Sequence, residues 1–431
     1  MTALHAAVAD AIDLSEPLSV ESAYDLSHRA ALAESALGPV GLEIEAHLFD
    51  LDAVPERVGW ERLSPLLDSV RAACRRSAVT VEPGGQVELS GAPEPDITRA
   101  VAQLRHDGLG ARLALAGRRL GLAYVGADPL RPPRRVNPRP RYRAMEQQFA
   151  ATGRAAPGAV MMDSTAALQV NLQAGPQRGW PGRVARAHRL GPVLVAISAS
   201  SPWLNGRDTG WKSARQRAWG QLDARACGPV PGCVGRDPAA DDGLDPASAW
   251  AQYALRAPVV FITGPGEEAR AVDRPVSFRQ WASGEVRLGG RVPTGADLDT
   301  HLTTLFPPVR LRGYLEVRYL DMSAPRWWPA IAAVVTTLMD DPVAADLAAE
   351  ATERTALLWT KAARDGLGDA VLADSARRCM RIAADRAPAE LGPAVADLAE
   401  LVESGRCPGD LLAERIAEVG ARAAVEELAH A

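Results

Sequence analysis

Four short stretches of the sequence alternate apolar with polar residues, and their polar positions carry mainly Glu, Gln, Asn or Arg and almost no Lys, Thr or Ser. Alternation with a period of two predicts half-buried strands whose polar side chains share one face. The stretches are residues 41–50, 86–90, 168–173 and 314–319. The carboxylates on or beside their polar faces are Glu43, Glu45, Glu82, Glu88 and Glu316.

Carboxylates gathered on one sheet face have a chemical consequence. Like charges raise each other's pKa and oppose folding unless a cation lies among them. Oxygen ligands without cysteine suit Mg²⁺ or Mn²⁺ better than zinc. A solvated sheet edge explains one such strand, whereas four together favour a site that holds the phosphates of a nucleotide through bound cations.

The most distinctive stretch is VEPGGQVELSGAP at residues 81–93. Its glycine pair at 84–85 can adopt positive φ without steric penalty, which predicts a tight turn between two strands. After the turn, Val87 and Leu89 point to one face and Glu88 points to the other. The carboxylates on either side of the turn are therefore held by a fixed hairpin.

This stretch resembles the signature of glutamate–cysteine ligases of the plant and proteobacterial type. GLEIE at residues 41–45 is similar to the first acidic strand of that family. Further matches follow in family order at residues 141–145, 161–172, 201–219, 301–318 and 362–367. The composition and short loops resemble most the actinobacterial branch, which makes γ-glutamylcysteine for ergothioneine.

The resemblance implies a glutamine synthetase-like catalytic fold and an ATP-dependent ligase reaction. The γ-carboxylate of L-glutamate would be activated as γ-glutamyl phosphate and then joined to the amine of L-cysteine, with ADP and phosphate released. The implied cation ligands are Glu43, Glu45, Glu82, Glu88 and Glu316, and Glu88 and Arg318 are the implied catalytic residues. Arg310 and Arg318 would contact phosphate.

The amino-acid pocket follows from the same resemblance. Arg215, supported by Arg141 and Tyr142, would hold the α-carboxylate of glutamate, and Gln169 and Asn171 would line the pocket. The sequence departs from the family pattern at two places, because Ser200 replaces an Asn and residues 163–164 replace basic residues.

Other functions remain open at this point. A related ligase could use a different amine, and a nucleotide-binding regulator could have lost turnover, although the intact carboxylate set argues against the regulator. A metal-dependent amidohydrolase would draw on His ligands, and the acidic stretches contain only His47. The sequence has no P-loop, no G-x-G-x-x-G and no G-x-S-x-G motif, so ATP would have to be held through cations.

The composition indicates which binding partners and which cellular compartment to expect. The 431 residues carry a net charge of −5 and contain no basic run, which argues against nucleic-acid binding. The sequence has no apolar run of membrane-spanning length and no basic leader at its N-terminus. Five cysteines without a C-x-x-C pair fit reduced thiols. We expect a cytoplasmic enzyme with small-molecule substrates, acting as a monomer or homodimer.

We predict one α+β catalytic domain, with an antiparallel sheet curved into a funnel and helices packed outside. Residues 1–38 form N-terminal helices, 39–326 the sheet-bearing core and 327–431 a helical C-terminal section. Within these sections we predict helices at 20–37, 64–77, 97–119 and 181–200. We also predict a loop at 153–158 that leads into a strand at 161–162.

Overall fold

An antiparallel seven-stranded sheet forms the centre of the computed structural model, which describes residues 15–235, 243, 245–264 and 268–430. The strand order is β10-β11-β5-β1-β3-β2, and β4 pairs with the far end of β1. The strands of this sheet are β1 (Val40–Asp50), β2 (Ser77–Val81), β3 (Val87–Gly91), β4 (Leu120–Ala123), β5 (Ala167–Gln173), β10 (Val309–Leu311) and β11 (Tyr314–Asp321). Two small hairpins complete the set, β6 (Trp203–Leu204) with β7 (Arg207–Asp208) and β8 (Phe261–Thr263) with β9 (Ala269–Ala271).

Helices surround the sheet and make up the C-terminal section. In chain order they are α1 (Val20–Ala31), α2 (Trp60–Leu63), α3 (Leu67–Ala73), α4 (Ile97–Ala116), α5 (Pro140–Ala151), α6 (Ala155–Ser164), α7 (Trp180–Arg189), α8 (Gly191–Ser198), α9 (Ala214–Trp219), α10 (Ala224–Cys227), α11 (Pro246–Arg256), α12 (Phe278–Ala282), α13 (Gly295–Leu302), α14 (Trp328–Asp340), α15 (Pro342–Ala351), α16 (Trp359–Asp365), α17 (Ala370–Arg386), α18 (Gly392–Glu403), α19 (Pro408–Val419) and α20 (Ala421–His430). Among the described residues, no helix is both long and apolar enough to cross a bilayer.

The apolar face of the sheet forms the main core. Leu42 and Ile44 of β1, with Val170 of β5, are almost completely buried. Helices α4 and α14 pack against this side, and every residue of α14 from Trp328 to Met339 is buried. The alternating pattern therefore directs its apolar positions into the core and leaves the opposite face for the polar side chains.

The fold-class prediction is confirmed. The described chain combines an antiparallel sheet with outer helices and a helical section after residue 326. The division of residues 1–431 into one domain stays a prediction. Residues 1–14 of the predicted N-terminal helices, residues 236–242, 244 and 265–267 of the predicted core, and residue 431 lie outside the described residues.

The prediction for residues 153–162 is wrong, because most of this segment forms helix α6. The sequence predicts that Gly158 lies in a loop, but a Cβ there would lie 2.6 Å from the ring of Phe149 on helix α5. The glycine therefore allows two helices to pack closely. Met161 and Met162 are helical and buried beside Phe149, and the strand begins later, at Ala167.

All four predicted helices have different bounds in the structure, and the helix predicted at 97–119 ends at Ala116. The N-terminal helix ends at Ala31, before the predicted residue 37. The helix predicted at 64–77 ends at Ala73, and a 3₁₀ turn over Ser64–Leu66 joins α2 to α3. The helix predicted at 181–200 forms two helices, α7 and α8, with the second beginning at Gly191.

Candidate active site

Strand register brings the predicted carboxylates onto one face. Glu45 of β1 lies directly opposite Glu88 of β3, and Glu43 lies opposite Gln169 of β5. Glu82 follows the end of β2, just before the glycine turn. Because neighbouring strands in a sheet are about 4.8 Å apart, these side chains are within reach of one another.

Neutral hydrogen-bond donors orient these carboxylates. Asn171 donates from Nδ2 to Glu43 Oε1 at 2.8 Å, and Gln169 donates from Nε2 to Glu45 Oε1 at 3.3 Å. The backbone N–H of Ala167 donates to Glu45 Oε2 at 2.7 Å. Gln169 and Asn171, predicted as pocket residues, thus hold the carboxylates in place.

The electrostatics of Glu45, Glu82 and Glu88 differ from those of ordinary surface carboxylates. Burial and the nearby charge of Glu82 raise the pKa of Glu45 to about 7. Burial, followed by the charges of Glu82 and Glu43, raises the pKa of Glu88 well above its usual value. Burial also raises the pKa of Glu82, against the opposing charges of Arg141 and Arg318. Three charged carboxylates are therefore costly here without a cation.

Glu316 has a different environment from the other four glutamates. It pairs with Arg310 through both oxygens, and its Oε1 lies 3.2 Å from Arg318 Nη1 and 3.8 Å from Arg312 Nη1. Burial alone would raise its pKa, but the arginines, Arg310 first, lower the pKa to about 2. Arg310, which is predicted to contact phosphate, is therefore already paired with the carboxylate of Glu316.

Arg318 connects the two groups of carboxylates. Its guanidinium contacts Glu316 and donates to Oε1 of Gln169, which in turn hydrogen-bonds Glu45. Pairing between β11 and β5 shifts register between Val317 and Leu320, so Arg318 lies at an irregularity of the strand. It is partly buried, with 14% of its side chain exposed.

Arg215 lies behind Arg318, on helix α9. Its Nη2 donates to the carbonyl oxygen of Arg318 at 2.7 Å, and its side chain is only 3% exposed. Nη1 of Arg215 has no hydrogen-bond partner within the described part of the chain, and Asp321 Oδ1 is 4.0 Å away. Nη1 of Arg215 thus makes no hydrogen bond among the described residues, but it lies within ion-pair distance of buried Asp321.

Asp321 is a site-supporting residue that the sequence analysis missed. At the end of β11, it accepts hydrogen bonds from Ser201 Oγ at 2.6 Å, Ser213 Oγ at 2.8 Å and the Ser200 N–H at 3.0 Å. Ser213 also caps helix α9, which carries Arg215. The strand irregularity interrupts the period-two pattern before residue 321. The alternation therefore does not indicate that this residue belongs to the site.

Arg141 and Tyr142 lie at the start of helix α5. Nη2 of Arg141 donates to Thr303 Oγ1 at 3.3 Å, and its guanidinium carbon lies 5.7 Å from the centre of the Tyr142 ring. Burial raises the pKa of Glu82 and the charge of Arg141 opposes that rise, while burial followed by the charge of Glu82 raises the pKa of Tyr142. Both residues therefore lie near the carboxylate face.

Contacts from other segments of the chain hold the glycine turn in place. A Cβ on Gly84 would lie 2.1 Å from the carbonyl oxygen of Asp163, and Gly85 has a φ of +89°. Arg57 donates to the Gly84 carbonyl at 3.1 Å, and Asn137 donates to the Val81 carbonyl at 2.7 Å. These partners come from distant segments, so nothing in the local pattern indicates them.

A cavity of about 530 Å³ adjoins the carboxylate face. Arg215 and Arg318 line it on the side of the sheet, and the other walls are mainly aromatic and apolar. The aromatic residues among its walls include Trp211, Trp219, Phe306 and Trp359.

The acidic face fits a hard cation in its donor chemistry. Glu43, Glu45, Glu82 and Glu88 form no ion pair with any other described residue, in contrast to Glu316. Within residues 15–235, 243, 245–264 and 268–430, no three Asp, Glu, His or Cys side chains already form a metal cage. Mg²⁺ usually takes one or two carboxylates together with water and substrate phosphates, so an incomplete protein cage suits it.

Comparison with known proteins decides the family. Residues 39–429 match glutamate-cysteine ligase family 2 (GCS2). The chain belongs to this family. Two EgtA proteins are similar to almost the whole of this sequence.

Glutamate–cysteine ligase EgtA of Mycolicibacterium smegmatis is 52% identical over 399 residues, which cover 93% of this chain and 92% of that protein. EgtA of Mycobacterium tuberculosis (strain H37Rv) is 48% identical over 430 residues and 98% of both chains. The chloroplastic glutamate–cysteine ligase of Brassica juncea is 28% identical over 74% of this chain and 60% of that protein.

A solved structure supports the fold of the family member. The glutamate–cysteine ligase of Francisella tularensis in complex with AMP superposes with a TM-score of 0.56 at 13% identity, over 92% of this chain and 88% of that chain. At this level of identity the similarity concerns the fold alone.

Proposed function

We propose that this protein is an ATP-dependent glutamate–cysteine ligase. The observation that carries the proposal is the row of glutamates on the central sheet, where burial and mutual charge raise the pKa of Glu45, Glu82 and Glu88. Such a row is unfavourable unless cations and phosphates complete it. The family membership and the EgtA relatives support L-glutamate and L-cysteine as the substrates.

The cation-binding residues would be Glu43, Glu45, Glu82 and Glu88, with Glu88 in the catalytic set. When bound, Mg²⁺ or Mn²⁺ would neutralise the β- and γ-phosphates of ATP during phosphoryl transfer. The structure of this chain gives Glu316 three arginine neighbours, so we assign it the role of orienting Arg318 rather than that of a direct ligand.

The arginines would act on the transferred phosphoryl group. Arg318 would stabilise the negative charge that develops there, because its partly exposed guanidinium lies between Gln169 and Glu316. Arg310 would hold Glu316 and contribute positive potential to bound phosphate from behind it. Both arginines thus keep a role in phosphate binding, and Arg318 is the one that would contact the phosphoryl group directly.

Glutamate would bind beside this group. Arg215, whose Nη1 makes no hydrogen bond among the described residues, would hold its α-carboxylate, and Arg141 and Tyr142 flank the acidic face from helix α5. Gln169 and Asn171 would keep the carboxylates oriented while the γ-carboxylate of glutamate attacks the γ-phosphorus of ATP. The bond from that phosphorus to the β-phosphate oxygen breaks, and ADP leaves. The amine of cysteine then attacks the acyl carbon of γ-glutamyl phosphate, the C–O bond to phosphate breaks, and the amine loses a proton.

We expect this reaction to take place in the cytoplasm and to supply a low-molecular-weight thiol, with ergothioneine as the end product that the sequence resemblance implies. A related ligase with another amine is the second candidate. A catalytically silent nucleotide-binding regulator is the third.

The test is ADP release with glutamate and each of a panel of amines, with Mg²⁺ or Mn²⁺ supplied. We expect rapid release with cysteine, γ-glutamylcysteine as the product, and only slow release when the amine is omitted. Rapid release without any amine would indicate an ATPase. Faster product formation with another amine would identify the second candidate, and no release with any amine would favour the regulator.

A further inference from the structure

The guanidinium of Arg57 joins four segments of the chain around the glycine turn. Arg57 lies in the loop between β1 and helix α2, and 4% of its side chain is exposed. Its Nη1 donates to the carbonyl oxygen of Gly84 at 3.1 Å, and its Nη2 donates to Ser164 Oγ at 2.9 Å. Its Nε donates to the carbonyl oxygen of Pro132 at 3.0 Å, and its Nη2 lies 3.4 Å from Asp128 Oδ2. All three nitrogens of this guanidinium therefore have partners, and these partners belong to three other parts of the sequence.

A buried carboxylate connects Arg57 to the central sheet. The side chain of Asp128 is completely buried, and its Oδ2 accepts a hydrogen bond from Arg131 Nε at 2.7 Å. Arg131 also donates from Nη1 to the carbonyl oxygen of Leu48 at 2.8 Å, and its guanidinium carbon lies 3.5 Å from the centre of the Phe49 ring. Both of these residues belong to β1, the strand that carries two of the glutamates of the acidic face. Arg57 is therefore held relative to the same sheet that forms the site.

A neighbouring loop also holds the turn, through its backbone. The N–H groups of Val136 and Asn137 donate to the carbonyl oxygen of Pro83 at 2.7 and 2.9 Å. Arg57 binds the next carbonyl oxygen of the chain, that of Gly84. Because peptide groups are planar, fixing two successive carbonyl oxygens fixes the backbone torsions between them, which a glycine alone would leave free. The hairpin therefore presents its two glutamates, one before the turn and one after it, in a direction that Arg57 helps to set.

The charge of Arg57 acts mainly on its own partners. Burial lowers the pKa of Arg57 to about 10 and Asp128 opposes this change, so the guanidinium stays protonated at neutral pH beside a buried carboxylate. Burial raises the pKa of Glu82, and the first charges that oppose this rise are those of Arg141 and Arg318, which lie on the acidic face itself. The effect of Arg57 on the site therefore comes from the position that it imposes on the turn.

We infer that Arg57 is a positioning residue of the cation site, because it fixes the turn that directs Glu82 and Glu88 toward one divalent cation. This inference rests on the ligase function proposed above, in which both glutamates bind Mg²⁺ or Mn²⁺ together with the phosphates of ATP. Groups that orient metal ligands without touching the metal contribute roughly 10- to 100-fold to metal affinity or to activity. Arg57 acts in this way through the backbone carbonyl of Gly84.

The test is a calorimetric titration of Mn²⁺ into the protein saturated with a non-hydrolysable ATP analogue. Arg57→Lys should weaken Mn²⁺ binding about tenfold, because an ammonium group keeps the charge but reaches fewer acceptors than a guanidinium. The Mg²⁺ concentration for half-maximal turnover should rise by the same factor, whereas the KM for glutamate should stay within about twofold of wild type. Ser164→Ala removes one acceptor of Arg57 and should weaken Mn²⁺ binding about threefold.

Arg183 is the matched control. Its side chain is 6% exposed, and it donates to two backbone carbonyl oxygens and to Asp340, but from helix α7. Arg183→Lys should lower the melting temperature and leave Mn²⁺ binding unchanged. Wild-type Mn²⁺ binding in folded Arg57→Lys and Ser164→Ala would overturn the positioning role alone. If Arg57→Lys does not fold, the Ser164→Ala result decides by itself. A wild-type protein that binds no Mn²⁺ with the ATP analogue would overturn the cation site of the proposed ligase as well.

Discussion

Glutamates that look alike in the sequence have two distinct roles on the sheet face. Burial and like charges raise the pKa of Glu88, whereas Arg310 and Arg318 outweigh burial and hold the pKa of Glu316 at about 2. The sequence places both on the polar side of a strand. It could not reveal that β10 supplies an arginine opposite Glu316 through strand pairing.

The first prediction contrasts these two residues. Glu88→Gln should reduce turnover by at least about 10²-fold, yet it should raise the melting temperature in EDTA because it removes a repelling charge. Glu316→Gln should instead lower the free energy of unfolding by about 3–5 kcal/mol, since it leaves buried arginines without their carboxylate. Thermal melts in EDTA with activity assays check both, and a destabilised Glu88→Gln variant would contradict the proposed repulsion.

The second prediction concerns Arg215. A guanidinium can hold an α-carboxylate through two parallel hydrogen bonds, and an ammonium group cannot reproduce them. Arg215→Lys should therefore raise the KM for glutamate roughly ten- to a hundredfold, equivalent to ~1.5–3 kcal/mol, and leave the KM for ATP nearly unchanged. Steady-state kinetics with each substrate varied in turn measures both constants.

Arg183 provides the control for that variant. It is also buried and donates to Asp340 Oδ1 at 2.6 Å, but it lies on helix α7, outside the proposed site. Arg183→Lys should lower the melting temperature without changing the KM for glutamate. If both variants only lose stability, Arg215 is a structural residue.

At the scale of elements, period-two alternation suffices to find the strands that carry the carboxylates. It correctly gives β1, β3, β5 and β11, because each has one face in the core. It fails where a long-range contact decides the local structure. Gly158 lies in a helix and packs on Phe149, which is remote from any alternating pattern. Asp321 follows a strand irregularity and accepts hydrogen bonds from serines of another segment. Neither set of contacts is visible in the local sequence.

The third prediction tests the glycine turn as an element. Gly84→Ala would place a Cβ 2.1 Å from the backbone oxygen of Asp163, so the turn must move and take Glu82 and Glu88 with it. We expect a loss of at least ~1–3 kcal/mol in the free energy of unfolding and a fall in kcat. Gly117→Ala is the control, because a Cβ there meets nothing within 4 Å. Equal melting temperatures and rates for the two variants would show that the turn tolerates displacement.

At the scale of the whole molecule, the C-terminal section supports the site from outside. Asp410 of helix α19 accepts from Lys212 Nζ at 2.5 Å and from the Cys407 N–H at 2.9 Å. Gly409 donates its N–H to the Ala199 carbonyl at 2.8 Å, next to the serines that bind Asp321. Helices remote in sequence thus fix the segment that carries Arg215, and composition alone shows only that this section is helical.

The last prediction connects the acidic face to the stability of the entire chain. The pKa of Glu45 is raised from 4.5 to about 7, so the folded protein keeps a proton that the unfolded chain loses between these pH values. Its stabilising contribution is complete below pH 4.5 and is lost as the pH rises through 7. Buried His47 and His188 have lowered pKa values of about 3 and 4, which gives the opposite slope below pH 6.5. The histidines contribute equally to the stability of the wild-type protein and of a Glu45 variant. The difference in stability between these two proteins therefore does not contain the histidine contribution.

We therefore expect Glu45→Gln to gain stability over the wild-type protein in EDTA as the pH rises from 5 to 8, by about 1–3 kcal/mol. Melts of both proteins at the two pH values measure this difference. With Mg²⁺ and ATP present at pH 8, the order should reverse, because ligands that bind only the native wild-type site stabilise it by mass action. A stability difference that is the same at pH 5 and pH 8 in EDTA would mean that Glu45 is not held protonated by its neighbours, and the acidic face would then need no cation to fold.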